Sequence, residues 1–458
     1  MLTAAGGAYL IELTSHMTSP SIAVAATAGA PSTTRARLSS ILGGSIGNLV
    51  EWFDWYAYSA FAIYFSQAFF PTASRTVQLM NAAAVFAVGF FMRPIGGWVL
   101  GRYADRHGRK AALTLSVTLM CAGSLIIALT PTYSLIGVAA PALLVCARLL
   151  QGFSVGGEYG TSATYMSEVA LANQRGFYSG VLYVTLVMGQ LLALGLLLLL
   201  QFFLLTEAQL ADWGWRIPFF MGALAALVAF YLRRNLAETD AFRHTSVEAR
   251  RAAGDVRVLV RYPRETLTVI GLTMGGTLYF YTFTTYMQKF LLNTVGLTKS
   301  DSTLVAAAAL FVFMLLQPVM GALSDRVGRR PMLITFGVLA LFTTVPLLSA
   351  LAATRDPWTA FALIMAALLI SSLYSSISAI VKAELFPVQI RALGVGLPYA
   401  LAVSLFGGTA EYLALWFKNR GHESGYYWYV TCCIAVSLLV YVAMRDTLRS
   451  SRIDSETV

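Results

Sequence analysis

Twelve stretches of the chain are long and mostly apolar: near 40–66, 77–100, 111–130, 135–160, 177–204, 215–232, 265–290, 302–323, 331–352, 358–381, 392–416 and 425–444. A helix needs roughly 20 such residues to cross a bilayer core, so each stretch predicts a transmembrane helix. Polar residues fall in the short gaps and in one longer gap, 233–264, with six stretches on either side. The pattern predicts an all-α membrane protein with twelve transmembrane helices in two six-helix bundles. The bundles are expected at 39–232 and 265–445, joined by a basic cytoplasmic linker at 233–264. Residues 1–38, rich in Ala, Ser, Thr and Gly, read as a disordered N-terminal tail, and 446–458 as a cytoplasmic tail. No basic residue precedes the short apolar patch near the start, so a cleaved leader is not expected.

Composition narrows the class. Of 458 residues 57% are hydrophobic and 12% charged, whereas about a quarter of a soluble domain is charged. The formal net charge of +10 would suit nucleic acid if it formed one patch. It does not. With twelve crossings, 23 of the 32 Lys and Arg, Lys382 among them, fall on the side holding both tails and the linker; seven fall on the other, and Arg93 and Arg148 stay within helices. That bias predicts both termini in the cytoplasm and leaves no charge that nucleic acid must explain. Cys121, Cys146, Cys432 and Cys433 lie in apolar stretches without metal-ligand spacing and read as small core residues. His16, His107, His244 and His422 lie in tails and loops, and no GxxxxGK[ST] phosphate loop occurs. No enzyme, metal or cofactor is expected, and any transport must draw on a gradient.

One loop signature occurs twice. GRYADRHGRK at 101–110 and GALSDRVGRR at 321–330 carry glycine, Asp-Arg and Gly-Arg-basic at the same places, 220 residues apart. A second pair keeps nearly this register: Glu168 precedes Arg175 by seven residues, as Glu384 precedes Arg391. One repeat at half length indicates a duplicated bundle rather than a solenoid. Carboxylates at helix ends hold backbone N–H groups or a neighbouring Arg. Gly101, Asp105, Arg106, Gly108, Arg109, Glu168 and Arg175, with Gly321, Asp325, Arg326, Gly328, Arg329, Glu384 and Arg391, therefore form a candidate gate. The alternative is that these charges only terminate helices and set topology.

These residues resemble the major facilitator superfamily, whose mark is a Gly-x-x-x-Asp-Arg-x-Gly-Arg-basic loop between the second and third helices of each half. The resemblance covers nearly the whole chain from about residue 39. GNLVEWFDWY (47–56), FFMRPIGGW (90–98), RLLQGFSVGGEYG (148–160) and AELFPVQIRALGVG (383–396) are similar to its metabolite:proton symporter group. GGEYGTSATYMSEVA (156–170) and FYTFTTYMQKFLLNT (280–294) resemble members that carry alpha-ketoglutarate, that is 2-oxoglutarate. The resemblance implies two bundles rocking about a central cavity in a bacterial inner membrane, and uptake of 2-oxoglutarate or a related dicarboxylate with protons. Citrate, shikimate, or a zwitterionic osmolyte such as betaine or proline are the alternative substrates. The expected partners are the carboxylate, protons and the lipid bilayer, with the chain acting as a monomer.

Ionisable side chains inside apolar stretches are costly and so are candidates for function. They are Glu51 and Asp54 in the first stretch, Arg93 in the second, Arg148 and Glu158 in the fourth, and Glu411 in the eleventh. Asp54 lies 17 residues beyond Arg37, and Arg148 lies 20 residues before Glu168. A rise of 1.5 Å per residue puts them about 25 and 30 Å from the same side, within reach of each other. Resemblance to the sugar:proton symporters maps a proton-carrying acid onto Asp54 and its arginine onto Arg148. Glu51 is the alternative carrier, a permanent ion pair the alternative role, and Glu158 reads as a packing partner. Arg93 lies about 12 Å inside its helix end with no acidic neighbour in sequence. Its planar fork matches a carboxylate, which makes it first choice for the substrate unless it pairs with Glu51 or Asp54. Arg148, Tyr56, Tyr58, Gln190, Tyr281 and Thr282 are further candidate substrate-binding residues, and Lys289 reads as an anchor at the outer interface.

Overall fold

In a bilayer the backbone has no water to bond, so an apolar run that crosses must close its own N–H···O=C bonds as a helix. The computed structural model describes residues 34–453 other than 73, 108, 157–159, 161–162, 165–166, 168–169, 235–255 and 388–389, with side chains from residue 49 onward except at 104–106, 109–110, 113, 172, 229, 231–234 and 257. The described residues form helices and no strand. The first half comprises α1 Thr34–Phe69, α2 Arg75–His107, α3 Arg109–Leu129, α4 Ala139–Val155, α5 Arg175–Leu199 and α6 Ile217–Arg234. The second comprises α7 Pro263–Phe283, α8 Lys299–Val327, α9 Arg329–Ala353, α10 Pro357–Ser375, α11 Arg391–Ala402 and α12 Glu423–Ala443. Residues Ile41–Val458 form one compact unit, which is the one described below. Seven helices among the described residues are long and apolar enough to cross a membrane: α2, α5, α8, α9, α10, α11 and α12 with their continuations. Shorter apolar helices cover Thr114–Leu129, Ala139–Val155 and Gly214–Val228. The remaining two, α1 and α7, carry Glu51, Asp54, Tyr281 and Thr282 among their buried residues.

Several of the expected helices are not continuous among the described residues: the stretch expected at 135–160 is split into Tyr133–Ile136 and Ala139–Val155, and three more depart further along. Beyond Phe283 the chain turns, resumes at Met287–Phe290 and runs into a π-helix, Leu291–Val295. α10 breaks and resumes at Ser378–Glu384, and α11 passes through a π-helix, Val403–Gly407, before Ala410–Asn419. An apolar run reports burial, not the continuity of the backbone ladder. At the breaks Thr284 Oγ1 donates to Phe280 O at 2.6 Å and Ser376 Oγ to Ser372 O at 2.7 Å, bonds that compete with the helix.

Glycine sets how closely helices cross. A Cβ on Gly152 would fall 1.9 Å from Gly89 O, one on Gly96 2.0 Å from Phe153 O, and one on Gly156 2.1 Å from Arg93 O. α2 and α4 therefore touch backbone to backbone, as small residues allow in membranes, and the contact holds Arg93 and Arg148 side by side. Past α12 the expected tail is docked as far as it is described. Asp446 Oδ1 accepts from Arg329 N at 3.1 Å, and Arg452 Nη2 donates to Glu265 Oε1 at 2.7 Å. Of the expected linker, 235–255 lie outside the described residues, as do residues 1–33 of the expected N-terminal tail.

Candidate functional site

α1 presents Trp52, Trp55, Tyr56 and Ser59 at helical spacing on one face, and Trp52 stacks on Tyr56 at 5.6 Å. Arg93 comes against this face from α2. Its Cζ lies 4.1 Å from the ring centres of Trp55 and Phe90 and 5.0 Å from Trp52. From the second half, Tyr281 meets Phe90 edge-on at 5.5 Å and turns its hydroxyl towards Arg93 and Tyr56. Arg93 is only 4% exposed, and its Nε and Nη2 have no hydrogen-bond partner among the described residues. Nor does any described carboxylate stand within ion-pair distance of it. A buried guanidinium in this condition costs several kcal/mol, of which ring faces return about 2. Two guanidinium nitrogens are thus left facing the ring-lined space without an acceptor among the described residues.

Arg148 is fully buried beside it. Its Cζ lies 3.8 Å from Trp55, 4.7 Å from Tyr58 and 5.0 Å from Phe86, so the two arginines share the Trp55 ring. Asp54 and Arg148 do not touch directly. Gln151 joins them, accepting from Arg148 Nη1 at 2.8 Å and donating from Nε2 to Asp54 Oδ2 at 2.5 Å and to Ser124 Oγ at 3.1 Å. Gly222 of α6 closes over the other oxygen, where a Cβ would fall 2.2 Å from Asp54 Oδ1. Glu51 is buried one turn earlier on α1. Gln151 was not singled out from sequence, although its position three residues after Arg148 on one helix face was the available signal.

The other candidates are placed as follows. Tyr58 donates to Ala82 O at 3.1 Å, and Gln190 is buried on α5 with Oε1 unpartnered among the described residues. Thr282 donates to Leu278 O and shares a 2.7 Å bond with Tyr426 OH, so its hydroxyl is taken up between α7 and α12. Glu158 lies outside the described residues.

Lys289 is not an outer anchor. It is fully buried, because the break after Phe283 turns the short helix Met287–Phe290 inward. Its Nζ donates to Ser59 Oγ of α1 and to Glu411 Oε2 at 3.2 Å, while Ser59 donates to the same Glu411 oxygen at 3.2 Å. The Lys289–Glu411 pair thus closes on the first half through one hydroxyl. Lys382, counted from sequence among the cytoplasmic charges, is also fully buried, with Nζ 2.7 Å from Ser378 Oγ and 4.1 Å from the Tyr399 ring centre.

The halves also meet at both ends. At the end bearing the loop signatures, Asp325 accepts from Gly176 N at 2.8 Å and Phe177 N at 3.0 Å, the free N–H groups opening α5. Arg329 Nη2 pairs with Asp325 at 2.8 Å and lies 3.7 Å from Glu384. Arg391 Nε donates to Phe386 O at 3.2 Å, and Gly328 turns the loop at φ 105°. Arg175 is buried at the head of α5, and Arg326 carries the charge in the last turn of α8. Gly101 stands open on α2, while Gly108, Glu168 and the side chains of Asp105, Arg106 and Arg109 lie outside the described residues. At the opposite end Lys299 pairs with Glu207 at 2.7 Å, and Asn293 donates to Thr76 Oγ1 at 3.1 Å. Glu207 lies beyond the spanning segments, and the hydrogen bond and charge of the Lys299 ammonium hold its carboxyl below its usual range.

Comparison with known proteins agrees with this architecture. Residues 44–410 match the family model described as Major Facilitator Superfamily. The chain is 54% identical to an alpha-ketoglutarate permease of Escherichia coli strain K12, over 92% of this chain and 97% of that one. It is 34% identical to a citrate-proton symporter of Salmonella typhi, over 90% and 96%. Among solved structures, a proton:xylose symporter superposes with a TM-score of 0.71 over 92% of this chain and 98% of that one, at 18% identity, which speaks for the fold alone. With two helical halves, the duplicated loop and a charged site between them, this chain belongs to the major facilitator superfamily.

Proposed function

We propose that the protein takes up 2-oxoglutarate, or a closely related dicarboxylate, together with protons by alternating access. The observation that carries this reading is Arg93, a buried guanidinium short of hydrogen bonds, walled by Trp55 and Phe90 of one half and Tyr281 of the other. An anion there gains a bidentate partner, and both halves contact it. The strong likeness to a permease for this substrate supports the specific choice.

The two bundles, 39–232 and 265–445, rock about this site in a bacterial inner membrane, and the chain works as a monomer. The bias of basic residues orients the loop signatures, the linker and both termini to the cytoplasm. Asp54 carries the proton. While it is ionised, Gln151 links its charge to Arg148; once it is protonated, that link loses its negative end and Arg148 turns its charge to the substrate beside Arg93. Opening to the cytoplasm breaks the Asp325 contacts with α5, and loss of the proton restores the Asp54–Gln151–Arg148 chain and weakens the hold on the anion.

Counterflow of labelled 2-oxoglutarate in proteoliposomes tests the reading. Exchange of 2-oxoglutarate that is competed by unlabelled 2-oxoglutarate and stimulated by an inward proton gradient is expected. Exchange of citrate, shikimate or a betaine without exchange of 2-oxoglutarate overturns the substrate assignment.

A further inference from the structure

Lys289 and Glu411 have no part in the scheme above, yet they form a buried charge pair in the second half that faces the first. The pair lies between the short helices Met287–Phe290 and Ala410–Asn419 of the second half and meets α1 of the first through Ser59. Burying an ion pair is costly, and a bundle held together by packing does better with apolar residues at such a place. Its position gives a reason for keeping it. Ser59, which both members touch, lies one helical turn beyond Trp55, the ring under Arg93, so the two cations meet α1 at positions about 6 Å apart along its axis. Lys289 follows Tyr281, the second half's contact to Arg93, across the break beyond Phe283 that turns it inward. Its ammonium has a further contact, 3.5 Å to Thr285 O, while Thr285 Oγ1 has no partner among the described residues.

We infer that Lys289 is the receptor for the second carboxylate of the substrate, with Glu411 as the protein's own carboxylate holding that place while the site is empty. The inference rests on the proposed dicarboxylate function and deepens it. Arg93 takes one end of the molecule and Lys289 the other, and the five-carbon chain lies along the α1 rings between them. When the distal carboxylate arrives it replaces Glu411 on the ammonium, and Glu411, left without its cation, takes up a proton of the symport and keeps its bond to Ser59. A substrate with one carboxylate cannot make the exchange. Lys289 then keeps Glu411, and the second half gains nothing by closing on the first. On this reading the buried pair selects dicarboxylates over monocarboxylates, while Arg93 accepts either.

The test compares 2-oxoglutarate with 2-oxopentanoate, which has a methyl group in place of the distal carboxylate, as inhibitors of labelled 2-oxoglutarate counterflow by the full chain. In wild type the dicarboxylate is expected to inhibit far better. Lys289→Gln together with Glu411→Gln keeps a neutral hydrogen-bonded pair on Ser59. It should lose roughly tenfold or more of this preference, the worth of one charged hydrogen bond, by weakening 2-oxoglutarate while 2-oxopentanoate inhibits as before. Lys289→Arg should retain the preference, which separates loss of charge from loss of fold. Preference that survives in the double variant, or equal weakening of both inhibitors, overturns this inference and leaves the dicarboxylate reading standing. A wild type that does not distinguish the two inhibitors overturns both.

Discussion

Adding one methyl group to the second loop signature should unlatch the loop end, and the same change in the first should not. A Cβ on Gly321 would lie 2.2 Å from Gly176 O, where ordinary contact begins at 3.4 Å, and the obstacle is backbone that cannot swing aside. In Gly321→Ala the two helices must therefore part by about 1 Å. That takes the Asp325 bonds to Gly176 N and Phe177 N, now 2.8 and 3.0 Å, to the edge of hydrogen-bond range or beyond it. Two charge-assisted bonds are together worth roughly 3–6 kcal/mol; water entering the widened gap replaces more than half, which leaves about 2 kcal/mol, or about thirtyfold, in favour of the open state. At the matching Gly101 a Cβ meets nothing within 4 Å. The assay uses Ser179→Cys, a position 4% exposed on the first turns of α5, in a chain whose four cysteines are replaced. The initial rate of labelling by a membrane-impermeant maleimide from the loop side should rise about thirtyfold in Gly321→Ala, the population shift worked above, and stay near wild type in Gly101→Ala. Equal rates in the two alanine variants, or no rise with Gly321→Ala, would refute the assignment of this crossing as the latch.

The remaining predictions concern the site and the opposite end. Arg93→Lys keeps the charge but loses the planar fork and its stacking, so KM for 2-oxoglutarate should rise by roughly one to two orders of magnitude; an unchanged KM returns Arg93 to a packing role. Asp54→Asn should abolish accumulation driven by a proton gradient while exchange down a substrate gradient continues, and intact accumulation would transfer the proton to Glu51. At the opposite end, Glu207→Gln removes a mostly exposed ion pair worth at most about 1 kcal/mol. Because the Glu207 carboxyl is depressed below its usual value of 4.5 when folded, its contribution is present above that value and fades as pH falls through the lowered one. The gap in melting temperature between wild type and variant should hold steady from pH 6 to 8 and close only in acid, and a gap that closes near neutrality contradicts the pairing.

The twelve helices were legible in the sequence because burial in lipid demands long apolar runs, and the burial of Arg93 because a lone cation inside such a run is conspicuous. What joins these elements was not legible, since it depends on pairs far apart in the chain and on small departures from regular helix. Lys289 is 122 residues from Glu411, and only the break at Thr284–Tyr286, which hydropathy does not register, turns it from the outer interface to the centre. Gln151 carries no charge, so nothing in composition distinguishes it from other glutamines until Arg148 and Asp54 are seen on either side of it. The duplicated loops show the same limit. Sequence makes Gly101 and Gly321 equivalent, but Gly321 is pressed against Gly176 while Gly101 has open space, and Arg329 is held by Asp446 from beyond α12. Duplication fixes which residues stand at a position; the neighbours brought there by the rest of the chain decide what those residues hold. The two halves can accordingly diverge without losing the signature, the first collecting the Asp54–Gln151–Arg148 chain and the second the Lys289–Glu411 pair. A transporter that binds one end of its substrate on each half has a physical reason to keep them different, because closure of the halves then requires both ends to be present.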